Sequence, residues 1–433
     1  MEPSQAIDSV DIQPFHIALI ILNFLIIALD GFDTGAIGYV GPALVAAFGA
    51  QKSALGPVFS AALLGAAAGA LIAGPLADRF GRKTILVASI MVSGLFTLAS
   101  AFADGIGSLT VLRLMTGLGL GAVIPGALTL IAEFSPRRRR SLIVNLVFCG
   151  FPVGLSLGGL LAAWLIPAFG WRSVLAFGGG ATLLLGALSA FSLPESLPFL
   201  VMRGALSAAR KIAARIDQEQ AAKADEFFTN MVPQTVKKLS LRVILSRPYL
   251  PGTLALWATY FLGLVVGYLL VNWMPMILKD AGFTISQAAL LTALYPLGGA
   301  LGALASGWLM DRRAPQLVVA GAFAVSGLLL IAIGQALGQP VLLSLLLLLA
   351  GVTMNGGQSS TGPLATNYYP PAARATGVSW MLGIGRFGAI CGTMIGAQTM
   401  RLGMRFETIF SLLSLVAFLA AGALVVLYFS EDR

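Results

Sequence analysis

The chain has 433 residues, of which 58% are hydrophobic and only 10% charged. A soluble domain needs far more charge to stay solvated, so this composition points to a bilayer-embedded protein. The formal net charge of +9 does not indicate a nucleic-acid partner, because the basic residues sit in loops between apolar runs and form no stripe interleaved with aromatics.

A bilayer-spanning helix needs roughly 20 mostly apolar residues. Twelve such runs are expected, near 17–38, 54–77, 84–103, 108–132, 142–165, 172–193, 249–272, 284–307, 316–335, 340–362, 377–398 and 406–428. No Lys or Arg precedes Lys52, so the first run lacks the basic flank of a signal peptide and is expected to remain as a spanning helix. His16, the only histidine, stands at its mouth, and a lone histidine offers no metal site or histidine relay. Cys149 and Cys391 have no metal-ligand spacing and read as small residues at helix contacts. No cofactor is expected.

Asp30 and Asp33 lie inside the first run, three residues apart and so on one helix face. A carboxylate at bilayer depth costs about 2.5–3.5 kcal/mol on insertion scales, so it must face a cavity or a partner. Two carboxylates so close disfavour joint ionisation, which suits a proton-coupling site. The plainer alternative is a structural pair capping a helix break near Gly31 and Gly35. Arg113, in the fourth run, is a natural counter-charge for either aspartate. The glycines after it, Gly117, Gly119 and Gly121, let a neighbouring helix approach closely. Proton uptake by the aspartate would weaken such a pair and couple protonation to conformation.

The stretch 199–248 is charged and helix-forming. It reads as a linker between two six-helix halves, 1–198 and 249–433, with an amphipathic helix on the membrane surface. Aromatic and amide side chains thicken beyond it. Tyr260, Tyr295, Asn355 and Gln358 are the candidates to wall a substrate ring and donate hydrogen bonds. Arg386 is the one charge embedded in a C-half helix. Its guanidinium fork matches a carboxylate and stays charged at any working pH. The alternative is pairing with a backbone carbonyl.

The halves repeat. GPLADRFGRK at 74–83 is echoed by GWLMDRR at 307–313, and EFSPRRRRS at 133–141 by NYYPPAARAT at 367–376, at offsets of 233 and 234. By these offsets Asp30, Asp33 and Arg113 fall on Gly263, Val266 and Leu346, and Arg386 falls on Pro152. Embedded charges thus belong to one half each, whereas shared features read as scaffold and gate. Two parallel repeats place a substrate site at their interface, near the bilayer midplane. Asp78, Arg79, Arg82, Asp311 and Arg312 read as charge locks between the halves, with Glu133, Arg140 and Arg374 in the same gating network.

With both termini on one side, the loops of that side hold 20 of the 27 Lys and Arg residues, the opposite loops hold 5, and two are embedded. The positive-inside rule makes the termini cytoplasmic.

GPLADRFGRK resembles the second-to-third helix loop motif of the major facilitator superfamily. RLMTGLGLGAVIP at 113–125 resembles its fourth-helix motif, GFPVGLSLGG at 150–159 its fifth-helix motif, and PESLP at 194–198 a motif at the end of its sixth helix. DGFDTGAIGYVGPAL at 30–44 and GRFGAICG at 385–392 are similar to the aromatic acid:proton symporter branch. The resemblance implies an all-α fold of twelve transmembrane helices in two pseudo-symmetric six-helix bundles. It also implies a proton-coupling role for Arg113, a small aromatic carboxylate as substrate, and a monomer in a bacterial inner membrane. An exporter of the same superfamily is the alternative. The acidic pair and Arg386 suit an anion better than a lipophilic cation. No nucleophile–base set supports an enzyme.

Overall fold

The computed structural model describes residues 13–136, 139–216, 241–370 and 373–431. Among the described residues, twelve helices are long and apolar enough to cross a membrane. They are α1 Pro14–Phe48, α2 Leu55–Phe80, α3 Arg82–Ser100, α4 Ile106–Phe134, α5 Leu142–Phe169, α6 Trp171–Ser192, α7 Leu250–Asp280, α8 Ile285–Met310, α9 Pro315–Gln335, α10 Pro340–Tyr368, α11 Arg374–Arg401 and α12 Phe406–Glu431. In hydrocarbon every backbone polar group needs an internal partner, so apolar runs of this length fold as helices.

Several helices outrun their expected bounds. α1 has 35 residues and α7 has 31, and they pass through Pro42 and Pro275 respectively. Prolines are tolerated in spanning helices because neighbouring helices satisfy the freed carbonyls. α1 stops only at Gly49, whose φ of 58° is left-handed. α1 is continuous through Gly31 and Gly35, so Asp30 and Asp33 do not cap a helix break. α5 instead divides at Cys149 into Arg140–Phe148 and Gly150–Phe169.

The repeat is visible in backbone contacts. Gly65 and Gly69 of α2 lie against the carbonyls of Leu114 and Leu118 in α4. Gly298 and Gly302 of α8 lie likewise against Leu348 and Val352 in α10. Gly117 against Ala62 is matched by Gly351 against Tyr295, and Gly154 against Ala28 by Gly388 against Phe261. Glycine leaves no Cβ in the way, so these helix pairs approach closely. In α4 and α10 the offset is 234 throughout, which places Arg113 opposite Leu347 and corrects the expected Leu346. The one-half character of Arg113 is unaffected.

α1, α2 and α5 face α7, α8 and α11 across the interface between halves. An even number of spans puts both termini and the linker at one end. At the opposite end the halves are joined by Lys52–Asp280 at 2.6 Å, Ser60 to Thr393 at 2.7 Å, and the Ser286 hydroxyl donating to Ala163 O at 2.8 Å. The Ser156 hydroxyl donates to Ala293 O at 3.0 Å, nearer the middle. At the linker end Asp78, Arg79, Asp311, Arg312 and Arg374 are exposed, and no described ion pair joins the two halves there. The described polar contacts between the halves thus lie at the end away from the linker and near the middle.

The linker contains helices at Leu197–Met202, Leu206–Ile216 and Leu241–Ile244. The expected surface helix corresponds to Leu206–Ile216, but it is not free. Ala209 is fully buried against the linker-side core of the N half.

Candidate functional site

Asp33 is 4% exposed and Arg113 1%. Arg113 Nη1 reaches Asp33 Oδ1 at 3.2 Å and Oδ2 at 3.4 Å. Thr97 of α3 donates its hydroxyl to Asp33 Oδ1 at 2.6 Å, and Arg113 Nη2 donates to Ser100 Oγ at 2.9 Å. The pair is thus held from α1, α3 and α4 at once. Which aspartate would pair with Arg113 was open in the sequence, and the fold selects Asp33. Asp30, 5% exposed, keeps a buried Oδ1 with no protein partner. Both aspartates line a cavity of about 10 Å³, room for about one water, together with Ser93, Thr97 and Thr182.

On the other side of the interface, Arg386 of α11 donates from Nη1 to the carbonyl of Ala66 in α2 at 3.0 Å. This is the carbonyl partner raised as an alternative, and it engages one guanidinium nitrogen. Tyr260 packs its ring on Gly385, beside Arg386. Gln358 Nε2 donates to Tyr260 O at 3.3 Å, and its Oε1 is buried without a partner against Gly263, the repeat mate of Asp30. Tyr295 is 1% exposed, with its hydroxyl beside the Asn355 amide and about 4.0 Å from the position a Gly267 Cβ would take. Asn355 lies on α10 one turn from Gln358, against Gly299. The C-half candidates fall into two linked pairs, Tyr260 with Gln358 beside Arg386, and Tyr295 with Asn355 one turn away on α10. Tyr268 of α7 stands within electrostatic reach of both Asp30 and Arg386.

The expected gating set divides. Arg82 pairs with Glu133, inside the N half. This joins two members of the expected gating network within one half, and no described contact carries Arg82 across to the other half. α4 ends directly beside the start of α3, so these two are nearest neighbours. Arg140 Nη2 donates to Ser135 O at 3.4 Å, and Arg137 and Arg138 lie outside the described residues. Arg203 donates to the Arg79 carbonyl, and the Glu195 carboxylate accepts from the Lys83 amide at 3.0 Å. The PESLP segment thereby clamps the α2–α3 loop, where Gly81 turns with a φ of 101°. Arg312 lies over the Trp308 ring at 3.8 Å.

Sequence reasoning missed Thr97, Ser100 and Ser93. Their signal was present: Ser89, Ser93, Thr97 and Ser100 form a hydroxyl stripe at helical spacing in an otherwise apolar α3.

The model of the Major Facilitator Superfamily matches residues 24–357 and 256–433. The chain is similar to the 4-hydroxybenzoate transporter PcaK of Pseudomonas aeruginosa, at 47% identity over 97% of this chain and 94% of that protein. It is similar also to the gallate transporter of Pseudomonas putida, at 46% identity over 97% and 93%. The inward open conformation of the xylose transporter XylE from E. coli superposes with a TM-score of 0.74 at 18% identity, covering 94% of each chain, which shows the fold alone. The chain is a multi-pass membrane transporter and belongs to the Major Facilitator Superfamily.

Proposed function

We propose that this protein imports a small aromatic carboxylate together with one or more protons, by alternating access. The observation that carries this reading is the buried Asp33–Arg113 pair, with Asp30 beside it on one half, and the embedded Arg386 of the other half reaching across to the Ala66 carbonyl of α2. 4-Hydroxybenzoate and gallate, the compounds in the relatives' names, are aromatic carboxylates. Arg386 supplies a fixed positive charge for such a group, and Tyr260, Tyr295, Asn355 and Gln358 supply ring walls and hydrogen bonds. Asp30 and Asp33 carry the proton, and Arg113 holds Asp33 when it is charged.

The unit of motion is each six-helix half, 1–198 and 249–433, with 199–248 as the connecting linker. Exposed Asp78, Arg79, Asp311, Arg312 and Arg374 at the linker end suit a lock that is released while the far end is sealed, with Arg82, Glu133 and Arg140 bracing the N-half loop. The excess of basic residues at the linker end supports cytoplasmic termini, and the reading takes the protein as a monomer in a bacterial inner membrane.

Proteoliposome uptake of labelled 4-hydroxybenzoate under an imposed pH gradient tests this. Accumulation is expected only when the gradient drives protons inward. Uptake indifferent to the gradient, or gradient-driven extrusion, would overturn the symport reading.

A further inference from the structure

Three buried polar side chains occupy one face of α1 at seven-residue intervals: His16, Asn23 and Asp30. Seven residues return to within about 20° of the same face and advance roughly 10 Å along the axis. The three are 2%, 0% and 5% exposed. Asn23 Oδ1 and Asp30 Oδ1 are buried without a protein partner, and His16 Nε2 is buried in a ring whose further polar neighbour is the Phe134 backbone. Asn23 Nδ2 donates to Leu19 O at 2.8 Å, and His16 Nδ1 accepts from the Gln13 amide at 3.2 Å.

Orphaned buried polar atoms are rare in native cores, and polar side chains at membrane depth mark ion or proton routes. These three run through the apolar linker-side core of the N half, among Leu22, Ile26, Val123, Leu130 and Leu185. The cavity at Asp30 opens into the same core, between Ile26, Ile90, Val123 and Leu185. Ser189 of α6, one turn beyond Leu185 toward the linker end, is fully buried, and its hydroxyl also lacks a partner.

We infer that the proton leaves Asp30 through the interior of the N-terminal half, along water positioned by Asn23, Ser189 and His16, and emerges at the linker face apart from the substrate cleft. This rests on the proton-symport reading above. Each water takes a proton on its Asp30 side and releases one on its linker side. Asn23, Ser189 and His16 keep their own protons and act as positioning residues, so a lone histidine is sufficient. The charged and titratable groups beside this route are the Asp33–Arg113 pair and Tyr268 near Asp30, and Arg82, Glu133 and Arg140 near the linker face.

The test uses the full chain in proteoliposomes loaded with a pH-reporting dye. Equilibrium exchange of labelled 4-hydroxybenzoate shuttles the loaded carrier and does not require the proton to leave. Net uptake does. Asn23→Leu is expected to exchange at the wild-type rate, while net uptake and internal acidification slow about tenfold or more. Asn23→Ser, which keeps a polar atom, should recover most of the rate. Ser189→Ala supplies a second variant with the same signature should Asn23→Leu fail to fold. Acidification at the wild-type rate in the folded leucine and alanine variants overturns the inference. So does a matching fall in exchange, which would make these residues packing elements. Wild-type protein that takes up substrate without acidifying sinks the symport reading itself, before any variant is compared.

Discussion

Arg386 has two jobs in this account, and substituting it separates them. Its Nη1 tethers α11 to the Ala66 carbonyl of α2 at 3.0 Å. The rest of the guanidinium fork remains for a substrate carboxylate. Arg386→Ala removes both. Ala66 O lies within α2 and keeps its helical partner, so loss of the tether costs on the scale of one ordinary hydrogen bond, about 0.5–1.5 kcal/mol. That is roughly two- to twelvefold and weighs equally on any ligand. Loss of the carboxylate contact costs about 1.5–3 kcal/mol, roughly ten- to over hundredfold, and weighs on the anion alone. Calorimetry with 4-hydroxybenzoate and with its primary amide, on wild type and on Arg386→Ala, closes the comparison. The acid should lose at least about tenfold more affinity than the amide. Arg386→Lys keeps the charge without the planar fork and should fall between the two. Equal losses for acid and amide would refute carboxylate reading and leave Arg386 as a tether between halves.

Asp33→Asn should abolish gradient-driven uptake while leaving the protein folded, because it removes the partner of Arg113; uptake at the wild-type level would contradict the coupling role. Thr97→Val deletes the 2.6 Å bond to Asp33 and should cut uptake about tenfold or more, on the scale of a hydrogen bond to a charged group, with little change in thermal stability in detergent. Asp78→Asn should increase labelling of cysteines placed along the linker-side cleft, and unchanged labelling would leave Asp78 as a topology signal. Gly117→Ala and its repeat mate Gly351→Ala each push a methyl into a facing backbone carbonyl and should destabilise the protein by about 1–3 kcal/mol, read as a lower midpoint of thermal unfolding.

The class of this protein was legible in its sequence because hydrocarbon imposes a local rule. Each apolar run must be a helix, and a charge within one must have a reason, so Asp30, Asp33, Arg113 and Arg386 stood out before any contact was known. The loop motifs and their offset gave the two halves. Partner choice is not local, and only the tertiary structure decided it. Arg113 met Asp33 and left Asp30 alone because α3 brings Thr97 and Ser100 to that side of the pair. Arg386 found the Ala66 carbonyl because α2 and α11 cross there. Arg82 met Glu133 where the end of α4 lies beside the start of α3, within one half, where the repeat had suggested a lock between halves. The contacts that join the halves away from the linker include Ser60 with Thr393, hydroxyls with no charge to mark them in the sequence. The line from His16 through Asn23 to Asp30 has a spacing plain in the sequence, but its meaning lies in burial without partners, which only the packing of the neighbouring helices around α1 determines.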